Sequence, residues 1–103
     1  MAKSLESVKQ FYNDIKDQYT EYILRCVPRY AEMQWAVLHY IPDGLKPRNI
    51  LEIGCGTGNL STLILKEYPE STIHLVDISD KMIEHCKENF SDRENIKYFC
   101  NDF

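Results

Sequence analysis

One short segment, residues 50–58, constrains the fold of this chain more than any other, and it reads I-L-E-I-G-C-G-T-G. Its apolar residues are typical of a short strand that is buried on both faces of a parallel sheet (Ile50, Leu51 and Ile53). Gly54, Gly56 and Gly58 follow at two-residue intervals, and a helical pattern begins directly after them. A strand, three glycines and a helix N-terminus together predict a tight loop that a ligand can approach closely.

The glycine spacing separates two classes of cofactor loop. The dinucleotide fingerprint is G-x-G-x-x-G, and its third glycine permits close packing of helix against strand. Counted from Gly54 the third position is Asn59, and counted from Gly56 it is Ser61, so neither frame supplies the third glycine. The segment has instead an acidic residue, Glu52, followed by three alternating glycines. An NAD-dependent oxidoreductase and a glycine-rich turn without a ligand remain as alternatives.

The pattern acidic-x-G-x-G-x-G after an apolar strand resembles the first motif of the class I (Rossmann-like) S-adenosylmethionine-dependent methyltransferases. The resemblance implies that the loop backbone at Gly54, Gly56 and Gly58 lies against the methionine part of S-adenosylmethionine. Glu52 would then attract the cationic amino group of the cofactor, directly or through water, or would hold the loop. Cys55 lies inside the loop and belongs to the same cofactor-binding backbone, where its side chain needs only to be small.

A second match is the segment L-V-D-I-S that ends the second predicted strand. An ionised Asp77 only accepts hydrogen bonds, so it can take both ribose hydroxyls at once. The resemblance implies that ribose role, with Ile78 packing against the adenine. Asp77 as a helix N-cap is the alternative, although Ser79 and Asp80 are better placed to cap the next helix. Met82, one turn into that helix, either covers the adenine or belongs to the core.

The third match is C-N-D-F at residues 100–103. In the family, an acidic residue after the third strand accepts a hydrogen bond from the adenine amino group, and Asp102 matches it. Phe103 matches the position whose backbone N–H meets the adenine ring. Related enzymes also use N-terminal helices as a cap over the cofactor, and the candidates on that side, for which ordinary packing is the default, are Tyr12, Tyr19, Arg25 and Tyr30.

Apolar periodicity divides the chain into two regions, an N-terminal helical cap at residues 1–48 and an alternating βαβαβ region at 49–103. One amphipathic helix is expected over residues 3 to about 24, and Pro28 suits the first turn of a second helix. The expected elements that follow are strands near 49–54, 72–77 and 96–100 and helices near 58–67 and 80–89. Such alternation predicts parallel strands with right-handed crossovers.

The expected fold class is therefore α/β with a Rossmann-like parallel sheet. The resemblance implies a seven-stranded sheet ordered 3-2-1-4-5-7-6, of which this sequence supplies strands 1, 2 and 3. The chain is thus expected to be the N-terminal, cofactor-binding half of such a domain, and catalytic residues and the methyl acceptor stay unassigned. The alternative is a non-catalytic or split module that needs a partner. The uncovered edge of strand 1 suggests a homodimer through that edge.

Composition excludes several other classes. Residues 1–48 carry seven basic and six acidic side chains and residues 49–103 five and ten, so no basic stripe for nucleic acid is present. Apolar runs are too short for a membrane span, and the first residues lack the apolar core of a signal peptide, so a cytoplasmic location is expected. The four cysteines include no C-x-x-C pair, and no metal site is predicted.

Overall fold

The structure is a computed structural model that describes residues 5–26 and 28–101. The helices are α1 (Leu5–Ile15), α2 (Tyr19–Cys26), α3 (Tyr30–His39), α4 (Asn59–Glu67) and α5 (Asp80–Asn89), with a 3-10 turn at Lys16–Gln18 between α1 and α2. The strands are β1 (Asn49–Ile53), β2 (Thr72–Asp77) and β3 (Ile96–Cys100). Within the described residues, none of these helices is long and apolar enough to cross a membrane.

The three strands form one parallel sheet in the order β1-β2-β3. Ile50 lies opposite Ile73, and Ile73 lies opposite Ile96, so the strands are nearly level along the sheet. Because all three strands run the same way, their carboxyl ends meet at one edge of the sheet, where ligands of open α/β sheets bind. The expected α/β architecture of strands 3-2-1 is confirmed.

One face of the sheet carries the hydrophobic core. Ile73 and Leu75 are fully buried there, between the sheet and the helices α4 and α5. Both crossovers step in the same direction across the sheet, and right-handed connections then place both helices on the same face. The buried core consists of Cys55, Ile64, Leu65, Ile73, Leu75, Ile83, Cys86, Phe90 and Ile96.

The opposite face corrects the expectation that β1 is buried on both sides. Leu51 and Ile53 remain 61% and 54% exposed, and Phe99 of β3 is 41% exposed on the same face, across β2 from them. The apolar run of β1 is thus covered on one face only, because α4 and α5 both pack on the other. The sheet presents an apolar surface, which we call the open face, formed by Leu51, Ile53 and Phe99.

The N-terminal region departs from the predicted single helix. The helix expected over residues 3 to 24 is interrupted at Lys16–Gln18 by a 3-10 turn, which winds more tightly than an α-helix. The interruption lets α1 contact α5 while α2 contacts the glycine loop, which one straight helix does not achieve. The second helix begins at Tyr30 instead of at Pro28, because Arg29 before it is left-handed with φ 58°.

Candidate functional site

The three glycines of residues 54–58 form a tight loop between β1 and α4. Gly54, Gly56 and Gly58 all have positive φ, at 74°, 58° and 90°, a conformation that favours glycine. The backbone N–H groups of Gly54 and Cys55 both donate to the carbonyl of Val76, at 2.7 and 3.1 Å. The loop is therefore fixed to the end of the neighbouring strand β2.

Two aromatic rings lie close to Gly56 and Gly58. A Cβ atom placed on Gly56 would lie 3.0 Å from Cε1 of Tyr19. A Cβ atom on Gly58 would lie 2.9 Å from the ring of Phe90. Tyr19 thus covers the loop from the N-terminal helices and Phe90 supports it from the end of α5, and both rings leave little room for a side chain at these two glycines.

Asp77, the expected ribose-binding residue, holds the glycine loop. Its Oδ2 atom accepts a hydrogen bond from the backbone N–H of Gly56 at 2.8 Å, and Oδ1 accepts one from Ser79 N–H at 2.9 Å. The side chain is buried, with 7% of the residue exposed. A carboxylate has about four acceptor sites, so two remain for a ligand. The loop contact was not predicted, although parallel strands bring Asp77 and the loop to the same sheet edge.

The turn after Asp77 agrees with the predicted helix start. Ser79 is the N-cap of α5, since its hydroxyl accepts a hydrogen bond from the backbone N–H of Met82 at 3.1 Å. Met82 is fully buried, which agrees with the core alternative for this residue. Ile78 is half-buried beside the carboxyl end of the sheet, where the resemblance places the adenine.

Glu52 lies on the core face of β1, half-buried, with one specific partner. The hydroxyl of Ser61 in α4 donates to Oε1 of Glu52 at 2.6 Å. Burial raises the pKa of Glu52 above its usual value, the Ser61 hydrogen bond lowers it, and the negative charge of Asp77 raises it further. Ser61 was weighed in the sequence only as a missing glycine, and nothing in the pattern pointed to this contact.

A cavity of about 270 Å³ opens between this carboxylate and the N-terminal helices. Its lining includes Tyr19, Tyr30, Gln34, Glu52, Gly54 and Cys55. Burial, with smaller effects from Tyr30 and Tyr12, raises the pKa of Tyr19 to about 12, so its hydroxyl stays neutral. Of the four candidates on the cap side, Tyr19 and Tyr30 reach the cavity, Tyr12 packs edge-on against Tyr19, and Arg25 pairs with Glu21 at 2.7 Å on the surface.

Thr20 joins α2 to the loop through contacts that the sequence did not reveal. Its hydroxyl donates to Oδ1 of Asn59 at 3.0 Å and lies 3.4 Å from the hydroxyl of Thr57. The Nδ2 atom of Asn59 is buried and has no hydrogen-bond partner among the described residues. Thr20 of α2 therefore covers the N-terminus of α4.

Asn13 joins α1 to the start of α5. Its Nδ2 donates to Oδ1 of Asp80 at 3.1 Å, and its Oδ1 accepts from Lys81 N–H at 3.3 Å and from the Ser79 hydroxyl. This amide holds the pKa of Asp80 below its usual value. Lys9 adds an ion pair with Asp80 at 3.7 Å. Polar contacts from two helices thus attach the N-terminal region on both sides of the glycine loop.

A pair of buried thiols lies under the loop. The Sγ atoms of Cys55 and Cys86 are 4.0 Å apart, and the Cys86 thiol donates to the carbonyl of Gly56 at 3.2 Å. The contact with Cys86 and burial raise the pKa of Cys55 well above its usual value. The Cys55 side chain is therefore small, buried and neutral, and its contact with a cofactor through the backbone stays a prediction.

The structure brings together most of the predicted cofactor residues. Glu52, the glycine loop and Asp77 meet at the carboxyl ends of β1 and β2, with Ile78 next to them. Asp102 and Phe103, assigned to the adenine, lie outside the described residues. The contacts of Asn13 and Thr20 join elements far apart in sequence, and that of Ser61 depends on how α4 packs on β1, so no local signal could have predicted them.

Comparison with known proteins identifies related sequences. A family described as "Methyltransferase domain" matches residues 50–103. Malonyl-[acyl-carrier protein] O-methyltransferase 1 of Ilyobacter polytropus is 44% identical over 63 residues, which cover 61% of this chain and 24% of that protein. The corresponding protein of Halalkalibacterium halodurans is 44% identical over 57 residues, covering 55% of this chain and 21% of its own length. The chain thus spans about a quarter of the length of these curated relatives.

Solved structures share the fold at low sequence identity. The N-methyltransferase NodS of Bradyrhizobium japonicum, in complex with S-adenosylhomocysteine, superposes with a TM-score of 0.74 and 17% identity over 91% of this chain and 47% of its own. The [4+2]-cyclase SpnF has a TM-score of 0.74 at 14% identity, over 99% of this chain and 44% of its own. Since the family match covers residues 50–103, more than half of the chain, the chain belongs to the methyltransferase domain family.

Proposed function

We propose that this chain forms the cofactor-binding part of an S-adenosylmethionine-dependent methyltransferase. The observation that carries the proposal is the pair of carboxylates, Glu52 and Asp77, on either side of a glycine loop. S-adenosylmethionine is a cation with an ammonium group at one end and a ribose diol in the middle, so two carboxylates suit it. An acidic residue at the position of Asp77 also suits the ribose of a dinucleotide, but the charge of Glu52 beside the glycine loop would repel a pyrophosphate there.

The roles of individual residues follow from their positions. The loop backbone at Gly54, Gly56 and Gly58 would lie along the methionine part, and Glu52 would accept its ammonium group. Asp77 would receive the ribose hydroxyls on its two remaining acceptor sites while it holds the loop. Ile78 would pack against the adenine; Met82 is assigned to the core, and Asp102 and Phe103 are proposed adenine contacts on the resemblance alone.

The chemistry would be an in-line displacement. A nucleophile on the acceptor attacks the methyl carbon, the bond from carbon to the sulfonium breaks, and S-adenosylhomocysteine leaves with the electron pair on sulfur. Because the sulfonium is already a good leaving group, the protein contributes mainly by holding the reactants in line. Residues 49–103 would supply the cofactor side, and the helices of residues 1–48 would cap it through Tyr19 and Thr20.

For the acceptor, we propose the free carboxylate of a malonyl thioester on an acyl carrier protein. Support comes from the two relatives described above, whose names specify this substrate. An assay for S-adenosylhomocysteine release, with malonyl-carried and unloaded carrier protein, tests this assignment. Release only with the malonyl form is expected, and release with neither form would refute this acceptor.

The choice of cofactor is tested by measuring ligand binding to the full-length protein by calorimetry. S-adenosylhomocysteine is expected to give a saturable binding isotherm, and NAD none. Saturable NAD binding without S-adenosylhomocysteine binding would support the oxidoreductase alternative instead. Cofactor binding without methyl transfer to any acceptor would favour a non-catalytic module, and SpnF, a cyclase of the same fold, shows that the fold alone does not decide.

A homodimer is a further part of this proposal. The unpaired edge of β1 and the open face beside it (Leu51, Ile53 and Phe99) expose apolar and backbone groups that favour pairing. Sedimentation of residues 1–103 made alone should therefore show self-association, which Ile53→Lys should weaken. A stable, cooperatively folded monomer would contradict this prediction.

A further inference from the structure

We propose that Ser61 is a positioning residue for cofactor binding, because its hydroxyl fixes the Glu52 carboxylate so that the second carboxylate oxygen receives the α-ammonium group of S-adenosylmethionine. The inference rests on the proposed function and extends it to a residue that would not touch the ligand. Ser61 belongs to the first turn of α4, and its side chain is fully buried.

The hydrogen bond between the two side chains has the length expected for an ionised acceptor. The Ser61 Oγ atom lies 2.6 Å from Oε1 of Glu52, and hydroxyl-to-carboxylate bonds are typically about 2.5–2.7 Å long. A fully buried serine in a helix has little rotational freedom, so the carboxylate that it holds is also restrained. Ser61 therefore sets the direction in which Glu52 presents its other oxygen.

The second oxygen of Glu52 is available to a ligand. Among residues 5–26 and 28–101, only Oε1 of Glu52 has a hydrogen-bond partner, and no lysine or arginine forms an ion pair with this carboxylate. Glu52 lines the cavity of about 270 Å³ next to Gly54, where the methionine end of the cofactor is proposed to lie. A half-buried carboxylate without a cationic partner is the complement that a ligand ammonium group requires.

The hydrogen bond also favours the charged form of Glu52. Burial and the nearby Asp77 raise the pKa of Glu52, and the Ser61 hydroxyl opposes both by stabilising the carboxylate. Loss of this donor therefore raises the pKa further and leaves more of the carboxyl group protonated in weak acid. A protonated Glu52 no longer attracts an ammonium group, so ligand affinity falls as the pH drops through the pKa that Glu52 has in the ligand-free protein.

Few other groups around the cavity change charge in weak acid. The Tyr19 hydroxyl has a pKa of about 12, the Cys55 thiol has a raised pKa, and the Tyr30 hydroxyl accepts a hydrogen bond from Gln34 at 3.0 Å. Asp77 of β2 is the other carboxylate that faces Glu52. A Glu52 variant therefore shows whether a change of binding with pH comes from Glu52.

The test compares two ligands, of which only one carries the amino acid part with the proposed contact. S-adenosylhomocysteine carries the α-ammonium group, whereas 5′-methylthioadenosine keeps the adenosine and lacks the amino acid part. Calorimetry from about pH 5 to pH 8 measures the fall of S-adenosylhomocysteine affinity at low pH, which we call the acid limb. In Ser61→Ala the acid limb should lie about one pH unit higher than in the unmodified protein, which is about ten-fold weaker binding within that window. Binding of 5′-methylthioadenosine should change less than about two-fold.

Two further variants serve as controls. Ser71→Ala removes another buried serine hydroxyl, which donates to the carbonyl of Pro47 away from the cavity, and it should leave both affinities and the pH profile unchanged. Glu52→Gln should weaken S-adenosylhomocysteine binding and remove its acid limb. Adding Ser61→Ala to Glu52→Gln should then cause no further loss of affinity. This variant also decides the question if Ser61→Ala does not fold.

Several outcomes would overturn the proposal. Equal weakening of both ligands by Ser61→Ala would show a purely structural role. An acid limb that persists in Glu52→Gln would not come from Glu52, and unchanged S-adenosylhomocysteine affinity in Glu52→Gln would refute the ammonium contact. If the unmodified protein binds neither ligand, the proposed function itself fails, and this result is distinct from the others.

Discussion

The two regions of the chain are held together by different forces. Between residues 55 and 96 the chain supplies every residue of the buried core, including the fully buried Ile73 and Leu75. Among the described residues before position 42, by contrast, no side chain is fully buried, and the large hydrophobic ones that are exposed are Phe11, Tyr22, Leu24, Met33, Trp35, Val37 and Tyr40. Those helices are attached through the polar contacts of Asn13 and Thr20 and through half-buried side chains, of which Leu38 packs against the edge of the core.

The sheet region therefore supplies most of the stability of the fold, whereas the N-terminal helices cover the glycine loop. Hydrophobic burial around β2 stabilises the sheet and hence the glycine loop. Polar contacts near the surface contribute less because water competes for the same groups. The N-terminal helices can therefore open over the loop at a smaller free-energy cost than unfolding of the sheet.

The largest expected effect comes from matched leucines in the two regions. Leu75→Ala in β2 should lower the free energy of unfolding by about 2–5 kcal/mol, because Leu75 is fully buried. Leu24→Ala in α2, where the side chain is 57% exposed, should change it by less than about 0.5 kcal/mol. Urea unfolding measures both. Comparable losses would mean that the N-terminal helices share the core.

Cofactor affinity should depend on the sheet region, and specifically on Asp77 at the carboxyl end of β2. Asp77→Ala should weaken S-adenosylhomocysteine binding by about 10- to 100-fold, since charge-assisted hydrogen bonds to the ribose and to Gly56 N–H are lost. Cys55→Ala should weaken it far less, because this thiol is assigned no polar contact with the ligand. Calorimetry that finds equal losses would contradict the role of Asp77.

The attachment of α1 should show a smaller and local effect. Asn13→Ala removes the hydrogen bonds to Asp80 and Lys81. It should therefore raise the rate of amide hydrogen exchange in residues 5–26, which corresponds to a free energy of local opening lower by about 0.5–1.5 kcal/mol. Gln10→Ala is the matched control on the same helix, because its amide contacts only the exposed Asp14. Exchange that rises equally in the sheet would show that the two regions open as one unit.

The smallest expected effect concerns the ion pair between Arg25 and Glu21. The charged groups are 2.7 Å apart, but both side chains are largely exposed. Glu21→Gln should change the free energy of unfolding by less than about 0.5 kcal/mol, and added salt should abolish the difference. Thermal unfolding at low and high salt measures it, and a larger loss that salt does not screen would contradict the surface assignment.

Much of the sheet region could be predicted from local pattern. The bounds predicted for β2, α5 and β3 agree with the structure, because the apolar periodicity is strong and Ser79 caps α5 at the expected place. The position of Asp77 at the end of β2 was also predicted, although its hydrogen bond to Gly56 was not. These features depend on neighbours in sequence or on topology alone.

The remaining features depend on tertiary contacts that no local pattern contains. The 3-10 turn at Lys16–Gln18 has neither glycine nor proline to mark it. The exposed face of β1 was missed because an apolar run does not tell which segments will cover it. Ser61 meets Glu52 only through the way α4 packs back on β1.

The four cysteines offer a built-in probe of folding. Cys26 and Cys100 are exposed, whereas Cys55 and Cys86 are buried beneath the glycine loop. Because alkylation requires an accessible thiolate, a maleimide reagent should modify the first two thiols in the folded protein and spare the second two. Modification of the spared pair would then record each opening of the loop over α5, so mass spectrometry after pulsed labelling could follow how a bound cofactor slows that opening.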